Sequence, residues 1–236
     1  MNLTLMIGLF GLASAAQSAA EEVHFACGVK VGEVTDNSAV IWTRLTAKPD
    51  RNLAGVAWAE SADRVPEGRS LAEMEGSVPG APGEVRLQWW PRGGVGIRAS
   101  TGWEPVDPTR DFTRQFHIVD QLRAQTDYEF LVEGRALGEE EAQCSLITSF
   151  RTAPEEEVQA PVTFTVITGQ EYARRDDGLG GHRIFAHMQA LAPDFFVHTG
   201  DAVYHDKPGP FAKSPALARY KWNRIYSMPL QRSFHA

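Results

Sequence analysis

The sequence predicts two unlike parts in one chain, an all-β sandwich followed by the start of an α/β unit. Two observations carry this. Between Phe25 and Thr152 apolar and polar residues alternate with a period of two, with turn residues between the runs and little helical periodicity. From Val162 the pattern changes to a β-rich run, a helical stripe and a second short apolar run, the order of a βαβ unit. A third observation separates them: Ala153-Pro154-Glu155-Glu156-Glu157-Val158-Gln159-Ala160-Pro161 is acidic, framed by prolines and without periodicity, which reads as a linker.

The expected boundaries are a leader at 1–20, a sandwich at 21–153, a linker at 154–161 and an α/β part at 162–236. Residues Met1 to Ala20 carry no charge, run apolar from Leu3 to Ala13 and end in Ser18-Ala19-Ala20 before Glu21-Glu22, the shape of a signal peptide, although no Lys or Arg precedes the run. The run is too short to span a bilayer, so the expectation is export to a periplasmic or secreted location with no membrane span in the mature chain. A content of 43% hydrophobic and 10% aromatic residues describes a globular chain. A net charge of -7 excludes an extended nucleic-acid footprint and leaves a small phosphate ester compatible. Export would permit Cys27 and Cys144 to pair, a bridge that would contribute about 4 to 5 kcal/mol by loop entropy. Two separate buried thiols is the alternative.

In the first part, strands are expected at Ser38–Leu45, Leu53–Glu60, Gln115–Gln121, Thr126–Val132 and Ser145–Thr152. In the first of these Val40, Trp42 and Arg44 share one face, and Ile41, Thr43 and Leu45 the other. The pattern Leu122-x-x-x-Thr126-x-Tyr128-x-Phe130-x-Val132 suits a tyrosine corner, with the ring buried and the hydroxyl bonded to upstream backbone. On this signature the segment resembles a fibronectin III/Ig-like β-sandwich. Pro66 to Pro108, rich in Gly and Pro, reads as an interruption in which Arg86-Leu87-Gln88-Trp89 starts an inserted hairpin. Its Trp89, Trp90 and Trp103 beside arginines would either hold the hairpin together or form a ligand surface.

In the second part, Val162–Ile167 and Asp194–His198 are the parallel strands, and Ile184, Phe185, Met188 and Leu191 mark the helix between them. Ser214-Pro215 reads as an N-cap with Pro at the first helical position, followed by Leu217, Tyr220, Ile225 and Met228 up to Pro229. Two strands and two helices do not close an α/β core, so the sequence reads as the front part of a longer protein.

Ligands of open α/β sheets gather beyond the carboxyl ends of the strands. There the first strand ends in Thr168-Gly169-Gln170-Glu171 and the second in Thr199-Gly200-Asp201, followed by Tyr204, His205 and Asp206. Carboxylate, phenolate and imidazole together suit a hard or borderline metal ion. A strand followed by a plain polar loop is the alternative. Arg174 and Arg175 are placed either to hold a phosphoryl group or to pair with Asp176 and Asp177. Gly178, Gly180 and Gly181 are placed to offer N–H groups to an anion. Of the histidines in this part, His182 and His187 do not share a helical face, His198 reads as a supporting residue within its strand, and His205 is the best local candidate for a ligand or substrate contact.

Gly28-Val29-x-x-Gly32, Ile41-Trp42-Thr43-Arg44-Leu45 and Asp194-Phe195-x-x-His198-x-Gly200-Asp201-x-x-Tyr204 together resemble the alkaline phosphatase D (PhoD-like) family of metallophosphoesterases. The resemblance implies hydrolysis of phosphomonoesters or phosphodiesters at a two-metal site, with Asp201 bridging the metals and Tyr204 a ligand. Glu171 is a further candidate ligand, Asp201 and His205 are the catalytic candidates, and Arg174 and Arg175 the substrate contacts. It further implies Ca2+ and Fe3+. The family commonly has Ser-Cys-Gln after the first strand, with the Cys an iron ligand. Here Thr168-Gly169-Gln170 stands in its place, so the thiolate is missing and the iron is in question. Later metal motifs would fall beyond Ala236, and on that ground the 236-residue chain is expected to be inactive or nearly so. The rival expectation, from another class, is a non-catalytic exported adhesion or carbohydrate-binding module working through the tryptophan-rich hairpin.

Overall fold

The computed structural model describes residues 21–94 and 98–236. The expected leader lies outside the described residues. In chain order, the β-rich part runs β1 (Val29–Gly32), β2 (Ala39–Arg44), β3 (Glu84–Pro91), β4 (Ala99–Ser100), β5 (Glu104–Pro105), β6 (Thr113–Ile118), β7 (Asp127–Arg135) and β8 (Cys144–Arg151). The second part runs β9 (Phe164–Ile167), α1 (Ile184–Ala190), β10 (Phe195–His198), α2 (Pro215–Tyr226) and α3 (Pro229–Phe234).

Strands β1, β2 and β6 form one antiparallel sheet, and β4, β3, β7 and β8 a second, with β5 also on β3. The alternation does the packing. Val85, Leu87 and Trp89 of β3 and Tyr128, Phe130 and Val132 of β7 point inward against Val29, Ala39, Ile41, Phe116 and Ile118 of the other sheet. The Tyr128 hydroxyl accepts from the backbone N–H of Arg123 at 2.9 Å, and its ring stacks on Phe150. That satisfies the only polar atom of a buried ring, as the corner pattern anticipated.

Several expectations change here. Leu53–Glu60 is not a strand; it is irregular chain with a single bridge from Val56 to Met74. Gly55 packs so tightly on the Met74–Glu75 backbone that an added Cβ would stand 2.5 Å from it, a contact that extended chain with side chains would not allow. The stretch around Arg86–Trp89 is not an insertion. It is β3, flanked by β7 on one side and by β4 and β5 on the other, because its inward residues are core residues. Cys27 and Cys144 are free: the first packs with Ala26, Val78 and Trp42, the second beside the main core against the Gly134 carbonyl. Burial pushes the Cys144 thiol up to about 12.

Strands β9 and β10 pair in parallel, Phe164 opposite Phe195 through Ile167 opposite His198. In α1 only Phe185 and Met188 of the expected stripe are buried, while Ile184 and Leu191 are exposed. The buried arc is centred between the first two, where the Phe185 ring meets Phe196, Phe234 and His235. Helix α2 starts as expected: the Ser214 hydroxyl accepts from the Leu217 N–H, and Pro215 takes the first turn. Pro229 does not merely end a helix; it opens α3.

The second part lies on the outer face of the β1–β2–β6 sheet, and polar contacts seat it there. Arg44, 2% exposed, pairs with Asp111, whose Oδ2 also accepts from Asn223 of α2 at 2.7 Å. Lys30 stands over the Trp42 ring at 4.1 Å and the Tyr226 ring at 4.8 Å. Arg51 donates to the Leu179 carbonyl and Arg232 to that of Ala26.

Candidate functional site at the ends of the parallel strands

Past β9 and β10 the two chain segments stay joined. The Gly169 N–H donates to Gly200 O at 3.1 Å and the Gln170 N–H to Asp201 O at 3.1 Å, while Thr199 returns to Ile167. Gly169 (φ 65°) and Gly200 (φ 138°) turn the chain sharply, and Asp201 itself adopts φ 54°, a left-handed conformation uncommon outside Gly, Asn and Asp. A carboxylate held in that conformation at a strand end marks a constrained position of the kind found at working sites.

Asp201 and Tyr204 come together. The Asp201 carboxylate near the phenol, then burial and the charges of Glu171 and Asp206, push the Tyr204 hydroxyl above its ordinary value. Glu171, Tyr204 and Lys221 line the same small cavity of about 20 Å³. A Cβ built on Gly169 would lie 3.1 Å from the Tyr204 hydroxyl oxygen, so position 169 faces this cluster directly. The side chains of Asp201, Tyr204 and Glu171 are carboxylate, phenol and carboxylate, oxygen groups of the kind that suit a hard cation such as Ca2+, Mg2+ or Mn2+ rather than a softer one. Among the described residues no group of three or more His, Cys, Asp and Glu side chains is assembled to hold a metal.

Other candidates are placed differently. His205 is exposed on the same turn, with its carbonyl bonded to the Ala212 N–H. Arg174 is exposed and ion-paired with Glu171 at 3.4 Å. Arg175 is committed elsewhere: its guanidinium donates to the carbonyls of Tyr172 and Gly178 and covers the Tyr172 ring at 4.0 Å. Neither arginine pairs with Asp176 or Asp177. Asp176 accepts from the Arg183 N–H, and Asp177 accepts from the Leu179 and Gly180 N–H groups. The glycine-rich loop thereby spends two N–H groups on its own carboxylate, so they are not offered to an anion. His198 supports the turn, as anticipated: its Nδ1 accepts from the Gly200 N–H, and burial lowers its pKa against the opposing pull of Asp201.

Sequence reasoning missed the residues under the site. Lys221, 2% exposed, donates from Nζ to Tyr204 O at 2.6 Å and Lys207 O at 2.7 Å. Burial, with Arg224 adjacent, brings this lysine down to about 8. Arg224 donates to Gly209 O and lies over the Tyr172 and Tyr220 rings. Tyr172 donates to the Glu75 carboxylate and Tyr220 to the Glu75 carbonyl, which ties the site's underside to the β-rich part. The signal was present: Leu217, Lys221, Arg224 and Met228 share one helical stripe, so two cations occupy positions that should be apolar.

The sequence matches the family described as PhoD-like phosphatase, N-terminal domain, over residues 11–154. No curated protein matches it. The solved structure of PhoD superposes with a TM-score of 0.63 at 18% identity, covering 94% of this chain and 38% of that one. The chain therefore spans well under half the length of that protein. The sensor domain of the anti-sigma factor RsgI4 in Pseudobacteroides cellulosolvens (TM-score 0.30, 15% identity, 58% of this chain and 99% of that one) and the third fibronectin III domain of human KIAA0343 protein (0.28, 15%, 65% and 99%) are more distant. No helix among the described residues is long and apolar enough to cross a membrane.

Proposed function

Since this chain belongs to the PhoD-like phosphatase family, we propose that it supplies part of the active site of an exported, metal-dependent phosphoesterase acting on small phosphomonoesters or phosphodiesters. In this reading a fibronectin III-like part at 21–153 carries, through a linker at 154–161, the start of a metallophosphoesterase domain at 162–236. The observation that carries the proposal is the placement of Asp201 and Tyr204 past the carboxyl ends of two parallel strands, where Gly169 faces the Tyr204 hydroxyl and Glu171 lines the cavity that Tyr204 lines.

Asp201, Tyr204 and Glu171 would hold the metal. When bound, such an ion supplies Lewis acidity toward a phosphoryl oxygen and lowers the pKa of water. The chain's own residues do the rest. The left-handed turn at 200–201 sets the position of the Asp201 carboxylate, with the Tyr204 phenol three residues further on. His205, exposed on the same turn, and Arg174, exposed and ion-paired with Glu171, are the side chains that would meet a phosphate ester. Arg175 instead braces the Tyr172 turn. Gly169 leaves the donor set without sulfur, which favours an oxygen-ligated ion such as Ca2+ over a thiolate-bound Fe3+.

The rival reading, a carbohydrate-binding or adhesion module, has less support, because its three tryptophans already have partners within the chain. Trp89 is buried, Trp103 lies between the guanidinium groups of Arg86 and Arg135, and Trp90 is bonded to Glu129 and covered by Arg98.

Elemental analysis of the purified chain and of Asp201→Ala tests the proposal. The expected result is bound metal in the parent and at least about a tenfold loss in the variant. Equal metal in both would exclude Asp201 as a ligand. Three donors make only part of a two-metal shell, so aryl-phosphate turnover by the 236-residue chain is expected to be slow or undetectable.

A further inference from the structure

Helix α2 carries Lys221 and Arg224 on the stripe where Leu217 is buried, with the buried Met228 just beyond the helix end. Packing alone would be served there by Leu or Met, and burying an ammonium group is unfavourable unless its donors are used. They are used on one segment. Lys221 Nζ bonds the carbonyls of Tyr204 and Lys207, and Arg224 Nη1 that of Gly209, so three backbone acceptors of the 204–209 segment hang from one helix face. We infer that Lys221 is a positioning residue: it closes the Tyr204–Lys207 turn and thereby sets where the Tyr204 hydroxyl stands relative to Asp201 and Glu171. The inference rests on the phosphoesterase reading for its purpose, but not for its geometry.

The chemistry of the span supports this. Carbonyls three residues apart converge on one nitrogen only when the chain between them is curled, and Tyr204 on that curl faces the strand-end turn, where a Cβ on Gly169 would lie 3.1 Å from its hydroxyl. Lys221 also lines the cavity shared by Glu171 and Tyr204, so it holds the turn beside those two oxygen donors. Arg224 is fixed in turn by Tyr220, whose hydroxyl lies 3.1 Å from Nη1 and donates to the Glu75 carbonyl. The strut is thus anchored in the β-rich part.

The test compares Lys221→Met, which keeps the volume and loses the donors, with Lys221→Arg, which keeps donors and charge. Three quantities are read on the whole chain: amide hydrogen exchange at 204–209 relative to β7, the thermal midpoint, and the affinity for Mn2+ alone. Lys221→Met should exchange at 204–209 at least about tenfold faster with β7 unchanged, and bind Mn2+ about tenfold or more weakly. Lys221→Arg should recover part of both. A merely structural lysine would lower the midpoint without selective exchange at 204–209, and that result overturns the inference. If Lys221→Met does not fold, Lys221→Gln, with one shorter donor, is read by the same criteria. If the parent binds no Mn2+, the metal-site reading falls, and the exchange data alone decide the role of Lys221.

Discussion

The two parts of the molecule bury their apolar residues in opposite ways. In β7 alternate residues, Tyr128, Phe130 and Val132, are sealed between two sheets. In β9 and β10 Phe164, Val166, Phe195 and Val197 stand exposed on one face, with Phe164 and Phe195 stacked 5.1 Å apart in the open. The β-rich part has a closed core of its own. The second part is seated on it largely by ion pairs and hydrogen bonds from Arg44, Asp111, Arg51 and Glu75. Its strand-end turns are therefore as well placed as that polar seat allows.

The comparison is broken most strongly at Phe130, 0% exposed. Phe130→Ala should cost about 3–5 kcal/mol in denaturant unfolding, and because α2 is seated on the sheet, signals from both parts should shift together. Two separate transitions would mean that the second part does not depend on the first.

Next is the seat. Asp111→Ala leaves the Arg44 guanidinium buried without its carboxylate and Asn223 without its acceptor. The expected loss is about 3 kcal/mol, with hydrogen exchange rising in α2 before β7. An unchanged α2 would show that the ion pair does not carry the seat.

A pH test sharpens the same boundary. Burial, then the nearby charges of Lys30 and His198, brings His235 from 6.5 to about 3. Its neutral form is favoured on folding, so the unfolded chain binds the proton first. Stability from this residue is complete above about 6.5 and falls as the pH drops toward 3. Thermal midpoints measured between pH 7 and 4 should fall less steeply in His235→Phe than in the parent; identical slopes would remove His235 as the cause.

The smallest effect lies on the open face. Phe164→Ala should cost about 1 kcal/mol or less despite removing a whole ring, because that ring is 54% exposed. A loss as large as that of Phe130→Ala would mean that this face is covered in solution.

What local pattern determines was legible in the sequence. Period-two alternation placed β2, β6, β7 and β8 to within a few residues, Ser214-Pro215 marked the start of α2, and Tyr128 was placed with its hydroxyl on upstream backbone. Each rests on neighbours in the chain, where sterics and hydrogen bonding act over a few residues. The strand-end placement of Asp201 and Tyr204 was also legible, because parallel strands joined by one crossover must end on the same side.

What tertiary structure decided involves partners distant in sequence. Only the fold makes β3 a central strand rather than an inserted hairpin, since β7 pairs with it from across the loop. Leu53–Glu60 had the composition of a strand but found the Met74–Glu75 backbone against Gly55 in place of a partner strand. Arg175 was a phosphate candidate until the carbonyls of Tyr172 and Gly178 claimed its donors. Lys221 and Arg224 were conspicuous as cations on an apolar stripe, yet the carbonyls that explain them lie on a turn more than ten residues upstream. A buried charge is explained only by the acceptors it meets, and which acceptors arrive is settled when the chain closes on itself.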